Sequence, residues 1–163
     1  MIQRKQSIYL FLIALTSALL LIADPLIYEY VPAQPPAENA SYKFEISYNK
    51  IDKIVPGEAA VSKPNSYMIY ILSLLLVQSI LSIFLFRNRK RQLMLCRLSY
   101  VLMFVLPLLV YLEINHIKTG VSGTEAGLLP GAFVPFLLPL FNLMAIRGIR
   151  ADEELIRSMN RLR

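Results

Sequence analysis

The only histidine of the chain, His116, has Glu113 and Glu125 as its nearest acidic neighbours in sequence. This is the one stretch where ligands for a metal could gather. Zinc takes three or four ligands, and the stretch offers three at best, so it reads as a solvated loop rather than a metal centre. The only cysteine, Cys96, cannot close an internal disulfide and has the character of a small apolar helix residue. A nucleophile or base needs partners within reach, and none is evident for His116. There is no glycine-rich phosphate loop, no HExxH, no GxSxG and no cysteine pair. What remains is Gln78 and Asn142, polar side chains inside long apolar runs. Gln78 has two readings: a contact to a substrate, or a hydrogen bond between helices, typically worth about 0.6 kcal/mol in a membrane. Asn142 joins it as a candidate intramembrane polar contact. The expectation is a protein that is not an enzyme and takes no cofactor and no metal.

The elements that hold these residues are four apolar runs, at 7–23, 67–86, 93–112 and 128–146. Of the 163 residues, 56% are hydrophobic, against about 45–50% in a soluble domain. The excess is clustered in runs long enough to cross a bilayer as helix, which predicts an all-α membrane protein with four transmembrane helices. The first run is longer than the apolar core of a signal peptide, about 7–15 residues, and Leu21 would occupy the −3 position of a cleavage site before Asp24. It is therefore read as an uncleaved span. Asp24-Pro25 ends it, because proline has no N–H to donate. Ser66 is positioned to cap the second span. Pro107 is expected to kink the third. Pro135 and Pro139, four apart, are expected to bend the fourth.

The second and third runs are separated by Arg87-Asn88-Arg89-Lys90-Arg91-Gln92, a polar break too short for anything but a tight helical hairpin. Twelve of the 17 basic residues, including every arginine, lie in the N-terminal head, this turn and its flank, or the C-terminal tail. Short-loop Lys and Arg stay cytoplasmic, so both termini and the turn are placed in the cytoplasm. The net charge of +6 hugs the ends of apolar runs, which points to lipid headgroups and topology and not to nucleic acid. Arg87, Arg89, Lys90 and Arg91 are the candidate topology and interaction residues of the turn.

The tail, 147–163, continues as a helical pattern with Leu155, Met159 and Leu162 on one stripe and Arg150, Arg157 and Arg161 on the other face. Asp152 would fall inside the apolar stripe of a continuous helix. A break near Gly148 is therefore expected, followed by an amphipathic helix lying on the cytoplasmic surface. The other reading is a docking tail for a soluble partner.

Residues 24–66 form the one sizeable polar segment. Its start, 31–36, is proline-rich and linker-like. Tyr42 to Tyr48 alternates at period two, with Tyr42, Phe44, Ile46 and Tyr48 on one face, and Ile51 to Val55 could return as its partner. Leu26 to Val31 is a possible third strand. The result is a small β hairpin or sheet in the first extracytoplasmic loop. A second outer loop, 113–127, is read without regular structure.

The opening Met1-Ile-Gln-Arg-Lys-Gln-Ser-Ile-Tyr-Leu10, the turn Phe86-Arg-Asn-Arg-Lys-Arg-Gln92 and the ending from Ala145 to Arg163 resemble the family called domain of unknown function 4293. The resemblance implies a small four-helix protein of the Bacteroidota inner membrane with a cytoplasmic C-terminus. It implies no activity.

Two functions from different classes follow. The first is a non-enzymatic subunit of a membrane complex, whose partners are the lipid bilayer and another membrane or cytoplasmic protein at the C-terminal tail. The second is a protein that handles a lipid or small molecule in a cleft beside the proline-bearing fourth helix, with Gln78 and Asn142 as its polar contacts.

Overall fold

The computed structural model describes residues 5–32, 42–55, 57–120 and 123–161. Four long helices and a small antiparallel sheet dominate it. The helices are α1 (Lys5–Ala23), α2 (Ser66–Phe84), α3 (Arg89–Gly120) and α4 (Leu137–Arg161). The strands are β1 (Leu26–Pro32), β2 (Lys43–Ser47), β3 (Lys50–Ile54), β4 (Val61–Pro64) and β5 (Gly123–Leu128). Short 3-10 helices occupy Leu85–Arg87 and Pro130–Phe136. Each of the four long helices belongs to a candidate membrane span by length and apolar composition, α4 running on past the end of its span at Leu155.

The helices close into a ring. α1 packs against α2 and α4, and α3 packs against α2 and α4. Leu10 and Ile13 of α1, Leu72 and Leu75 of α2, Leu106 of α3 and Leu138 and Ile149 of α4 are almost wholly buried in one core. The outward faces are also apolar. Ile8, Phe11, Leu15, Leu19 and Ile22 form an exposed stripe along α1, and Met94, Leu98, Val101, Phe104 and Leu108 form one along α3. Ser17, Gln78, Ser82, Gln92, Ser99 and Asn142 of these helices are by contrast all buried. Apolar outside and polar inside is the distribution that suits a lipid surround.

The sheet stands at the end where α1 and α3 finish and α2 and α4 begin, with strand order β4-β3-β2-β1-β5. The expected hairpin of β2 and β3 is present, with Ile46 opposite Ile51 and Lys43 opposite Ile54. β1 joins it with Glu29 opposite Glu45. The sequence reading stopped at these three strands. β4 extends one edge and is exposed along its length, with Pro64 on the side that needs no donor. β5 extends the other edge and comes from the second loop, where the sequence reading places no strand. Ile27 of β1, Ile46 of β2 and Tyr48 just after it belong to the same core as the helices. Most of the proline-rich stretch, 33–36, lies outside the described residues; Val31 and Pro32 are the end of β1.

Several boundaries differ from expectation, each for a local reason. Ser66 does not cap α2. Asn65 precedes the helix, makes no side-chain cap bond, and is held instead by donating its N–H to the Asn49 carbonyl at 2.7 Å. α3 does not stop at Leu112 but runs through Pro107 to Gly120, so His116 is on a helix and not in a loop. Ile114 and Ile117 pack on the core and carry the helix on. Pro135 and Pro139 do not bend a helix, because the helix begins between them. Pro130 and Pro135 sit in the 3-10 segment, and Pro139 sits in the first turn of α4, where its missing N–H would have no partner.

The largest correction concerns the tail. α4 runs without interruption through Gly148 to Arg161, so the surface-lying helix after a break at Gly148 is not formed. Gly148 is needed for a close crossing and not for a turn: a Cβ there would lie 3.3 Å from the Gln6 Cβ on α1. Ile146 and Ile149, buried on either side of it, pin the backbone in helix.

Candidate functional site

Three places hold the polar residues that could act. The first is the bundle interior. The Gln78 side-chain amide donates to the Leu95 carbonyl at 2.7 Å, and the Asn142 amide donates to the Cys96 carbonyl at 2.8 Å. One level nearer the α2–α3 turn, Gln92 Nε2 donates to the Ser82 carbonyl at 3.0 Å, and Ser82 Oγ donates to the Gln78 carbonyl at 2.9 Å. The Gln78 and Asn142 bonds tie α2 and α4 to consecutive carbonyls of α3. Gln78 and Asn142 are both buried, with their amide groups bonded to backbone carbonyls, which is a helix-packing geometry. Gln6, on α1, is 1% exposed, and neither of its amide atoms has a partner among the described residues.

The second place is the basic turn. Arg87, Lys90 and Arg91 are exposed, while Arg89 is half-buried. The sequence offered no signal to separate them; the separation comes from α4. Arg89 Nη1 donates to the Asp152 carbonyl at 3.1 Å, tying the turn to the helix that passes beside it. Asn88, which the sequence reading passed over, starts α3: its side-chain oxygen accepts from the Arg91 N–H at 3.4 Å and its carbonyl from the Gln92 N–H at 3.0 Å. Arg150 is exposed. Leu155 is 63% exposed and not packed against the bundle. The side chains of Arg157 and Arg161, with those of Met159 and Leu162, lie outside the described residues.

The third place was missed by sequence reasoning. It is a cleft of about 460 Å³ between the sheet-side end of α3, the 3-10 segment and the sheet, within the about 300–1,000 Å³ range of small-molecule sites. Pro107, Val110, Ile114, Ala132 and Pro135 line it, and Asn115, Lys118 and Tyr28 stand at its polar end. Lys118 Nζ sits 5.5 Å from the centre of the Tyr28 ring. Phe133 and Phe136, more than half exposed, form its rim. The 3-10 segment is held off α3 by its anchorage to the sheet. The Leu129 N–H donates to the Ile27 carbonyl at 2.9 Å, and Tyr48 Oη donates to the Gly131 carbonyl at 2.9 Å. Gly131 has no room for a side chain, since a Cβ would meet the Leu26 carbonyl oxygen. Burial pushes the Tyr48 phenol well above its ordinary pKa, so it stays a donor. The only sequence signal was indirect: three prolines and a glycine where a membrane helix would otherwise start.

Among the described residues no group of three His, Cys, Asp or Glu side chains could hold a metal ion. His116 is exposed, and its carbonyl accepts from Thr119 Oγ1 at 3.0 Å. The cleft is therefore apolar with a cationic end. No curated protein matches the chain. The model of a family described as Domain of unknown function (DUF4293) matches residues 2–162, which covers both the bundle and the sheet, and the chain belongs to that family.

Proposed function

We propose that this is an integral protein of a bacterial inner membrane that works by binding and not by catalysis, as a subunit that engages a protein partner at its cytoplasmic face. Both termini and the α2–α3 turn lie in the cytoplasm, and the sheet lies outside. The charge distribution supports this orientation, with every arginine of the sequence in the N-terminal head, the turn and its flank, or the C-terminal tail.

The observation that carries the subunit reading is the length of α4. Arg89 holds the Asp152 carbonyl at the level of the turn, and the helix continues to Arg161, about 13 Å further at 1.5 Å per residue. A helix end that neither folds back nor ends at the headgroups offers a handle with Leu155 exposed on it. A photocrosslinking residue at Leu155 in native membranes tests the reading. One protein adduct of discrete mass, not seen when the crosslinking residue is moved to exposed Phe104 of α3, is the expected result. Adducts to lipid alone would favour a surface-lying tail and sink the subunit reading.

A second reading, the handling of a lipid or small molecule, rests on the cleft at the sheet end. Gln78 and Asn142 are not among the residues that line it.

A further inference from the structure

The residues that α3 presents to the cleft are Pro107, Val110, Tyr111, Ile114, Asn115 and Lys118. They recur at three and four, which is one face of a helix. Their polarity changes in one direction only. The deep end, at Pro107 against Pro135, is wholly apolar; the far end carries an amide and an ammonium. From Gln92, where the basic turn ends, to Lys118 is about 39 Å along the helix. A bilayer is about 40–45 Å thick with its headgroups and about 30 Å without them. A helix whose basic turn sits at one headgroup layer therefore brings Lys118 to the other. Pro107 lies about 16 Å below Lys118, inside the hydrocarbon and within one leaflet. The depth of the cleft and the direction of its polarity are those of a single lipid of that leaflet.

We propose that the cleft holds one anionic phospholipid of the leaflet at the sheet end. An acyl chain lies along α3 between Val110 and Ala132, and the acidic headgroup sits at Lys118 and Asn115. This rests on the membrane reading and names the ligand of the cleft reading given above. The apolar lining takes the acyl chain out of water. A lysine is a mobile point charge with three donors, suited to a phosphate oxygen. Asn115 adds a neutral donor one turn away. The exposed rings of Phe133 and Phe136 close the side toward the bilayer. A zwitterionic lipid would fill the slot equally well but would offer Lys118 less net charge. Selectivity thus belongs to Lys118, and occupancy to the slot.

The test uses the full chain in nanodiscs of phosphatidylcholine. Each disc carries a trace of photoactivatable phosphatidylglycerol, or of its phosphatidylcholine counterpart, with the reactive group in the acyl chain. The expected labels fall on peptides containing Val110, Ile114 or Phe133, with the acidic probe captured about fivefold more than the neutral one, which is what one surface cation offers an acidic headgroup. Lys118→Gln should remove that ratio while leaving capture of the neutral probe unchanged. Ala132→Trp should abolish capture of both, in protein that remains monodisperse and helical. If Ala132→Trp leaves labelling unchanged, or the unmodified protein is labelled evenly around its surface, the cleft reading itself fails. If Ala132→Trp abolishes capture but the wild type shows no preference for the acidic probe, the headgroup assignment fails and the cleft reading stands.

Discussion

The backbone N–H of Asn49 donates to the carboxylate of Asp24 at 2.8 Å, and the Asn49 side chain donates to the Leu21 carbonyl at 2.6 Å. One residue in the β2–β3 connection thus closes the end of α1. The Leu21 carbonyl is among the last of its helix and has no intrahelical partner to expect. Asp24 is the only non-glycine residue among those described with a positive φ, 43°, a backbone state that costs of order 1 kcal/mol and is held here by the bond it enables. Asn49→Ala should destabilise the sheet end by about 1–2 kcal/mol. Hydrogen exchange at Ile46 and Ile51 reads this directly, and unchanged protection there would show that the clasp carries no weight.

Gly131→Ala is expected to do more harm. The added Cβ would overlap the Leu26 carbonyl oxygen, so either β1 or the 3-10 segment must move, and the Tyr48 bond to the Gly131 carbonyl goes with it. Overpacking of this kind costs about 1–3 kcal/mol. The thermal midpoint in detergent should fall by more than for Gly57→Ala, a control glycine with a positive φ and open space around it.

Gln78→Leu and Asn142→Leu each remove one bond to an α3 carbonyl. The expected loss is about 0.6 kcal/mol apiece, the usual worth of an interhelical bond in membranes. Steric-trapping unfolding measures it. Insertion and any cleft-dependent lipid capture should be unaffected, and a loss of capture would return Gln78 or Asn142 to the ligand site.

The outer strands should respond to pH through Asp52. Hydrogen bonds from Lys50, 2.7 Å away, and from Ser62 hold its carboxyl below the usual range. A lowered carboxyl pKa gives stability that is present above the ordinary aspartate value of about 3.9 and lost as pH falls through the lowered one. The Lys50 ammonium is raised by the same pair, so its contribution is present below about 10.4 and lost as pH rises through the raised value. The protection factors of the β3 and β4 amides, which remove the intrinsic pH dependence of exchange, should therefore be flat between these limits and fall outside them. Lys50→Met should move the NMR titration of Asp52 up toward the ordinary value.

Orientation can be checked with two cysteines. Ala60→Cys, at an exposed position beside β4, should react with an impermeant thiol reagent in intact spheroplasts, and buried Cys96 should not. Replacing Arg87, Arg89, Lys90 and Arg91 with asparagine should give mixed topologies in a dual reporter. Uniform orientation would mean that the head and tail arginines suffice.

The sequence by itself determined the four apolar runs, the hairpin turn between the second and third, and the period-two face of Phe44, Ile46 and Tyr48. Each is a property of consecutive residues: the length of an apolar run, the sign of the charges between runs, the alternation along a strand. Tertiary structure decided what depends on residues far apart in the chain. The two residues joining β2 to β3, Tyr48 and Asn49, lack the glycine and the positive φ of a favoured hairpin turn. They are held instead by Gly131 and Leu21, which no local pattern could announce. β5 has weak strand character in sequence and exists because β1 offers it an unpaired edge. Gly148 reads as a helix break until Gln6 is placed 3.3 Å from where its side chain would be. Asp152 reads as an interruption until Arg89 is seen to bond the backbone there and the helix to pass on. The cleft has the same origin. Pro130, Pro135 and Pro139 could be read as breakers of a helix, but the space beside α3 appears only because the sheet holds the 3-10 segment away from it, through contacts that cross more than eighty residues of chain.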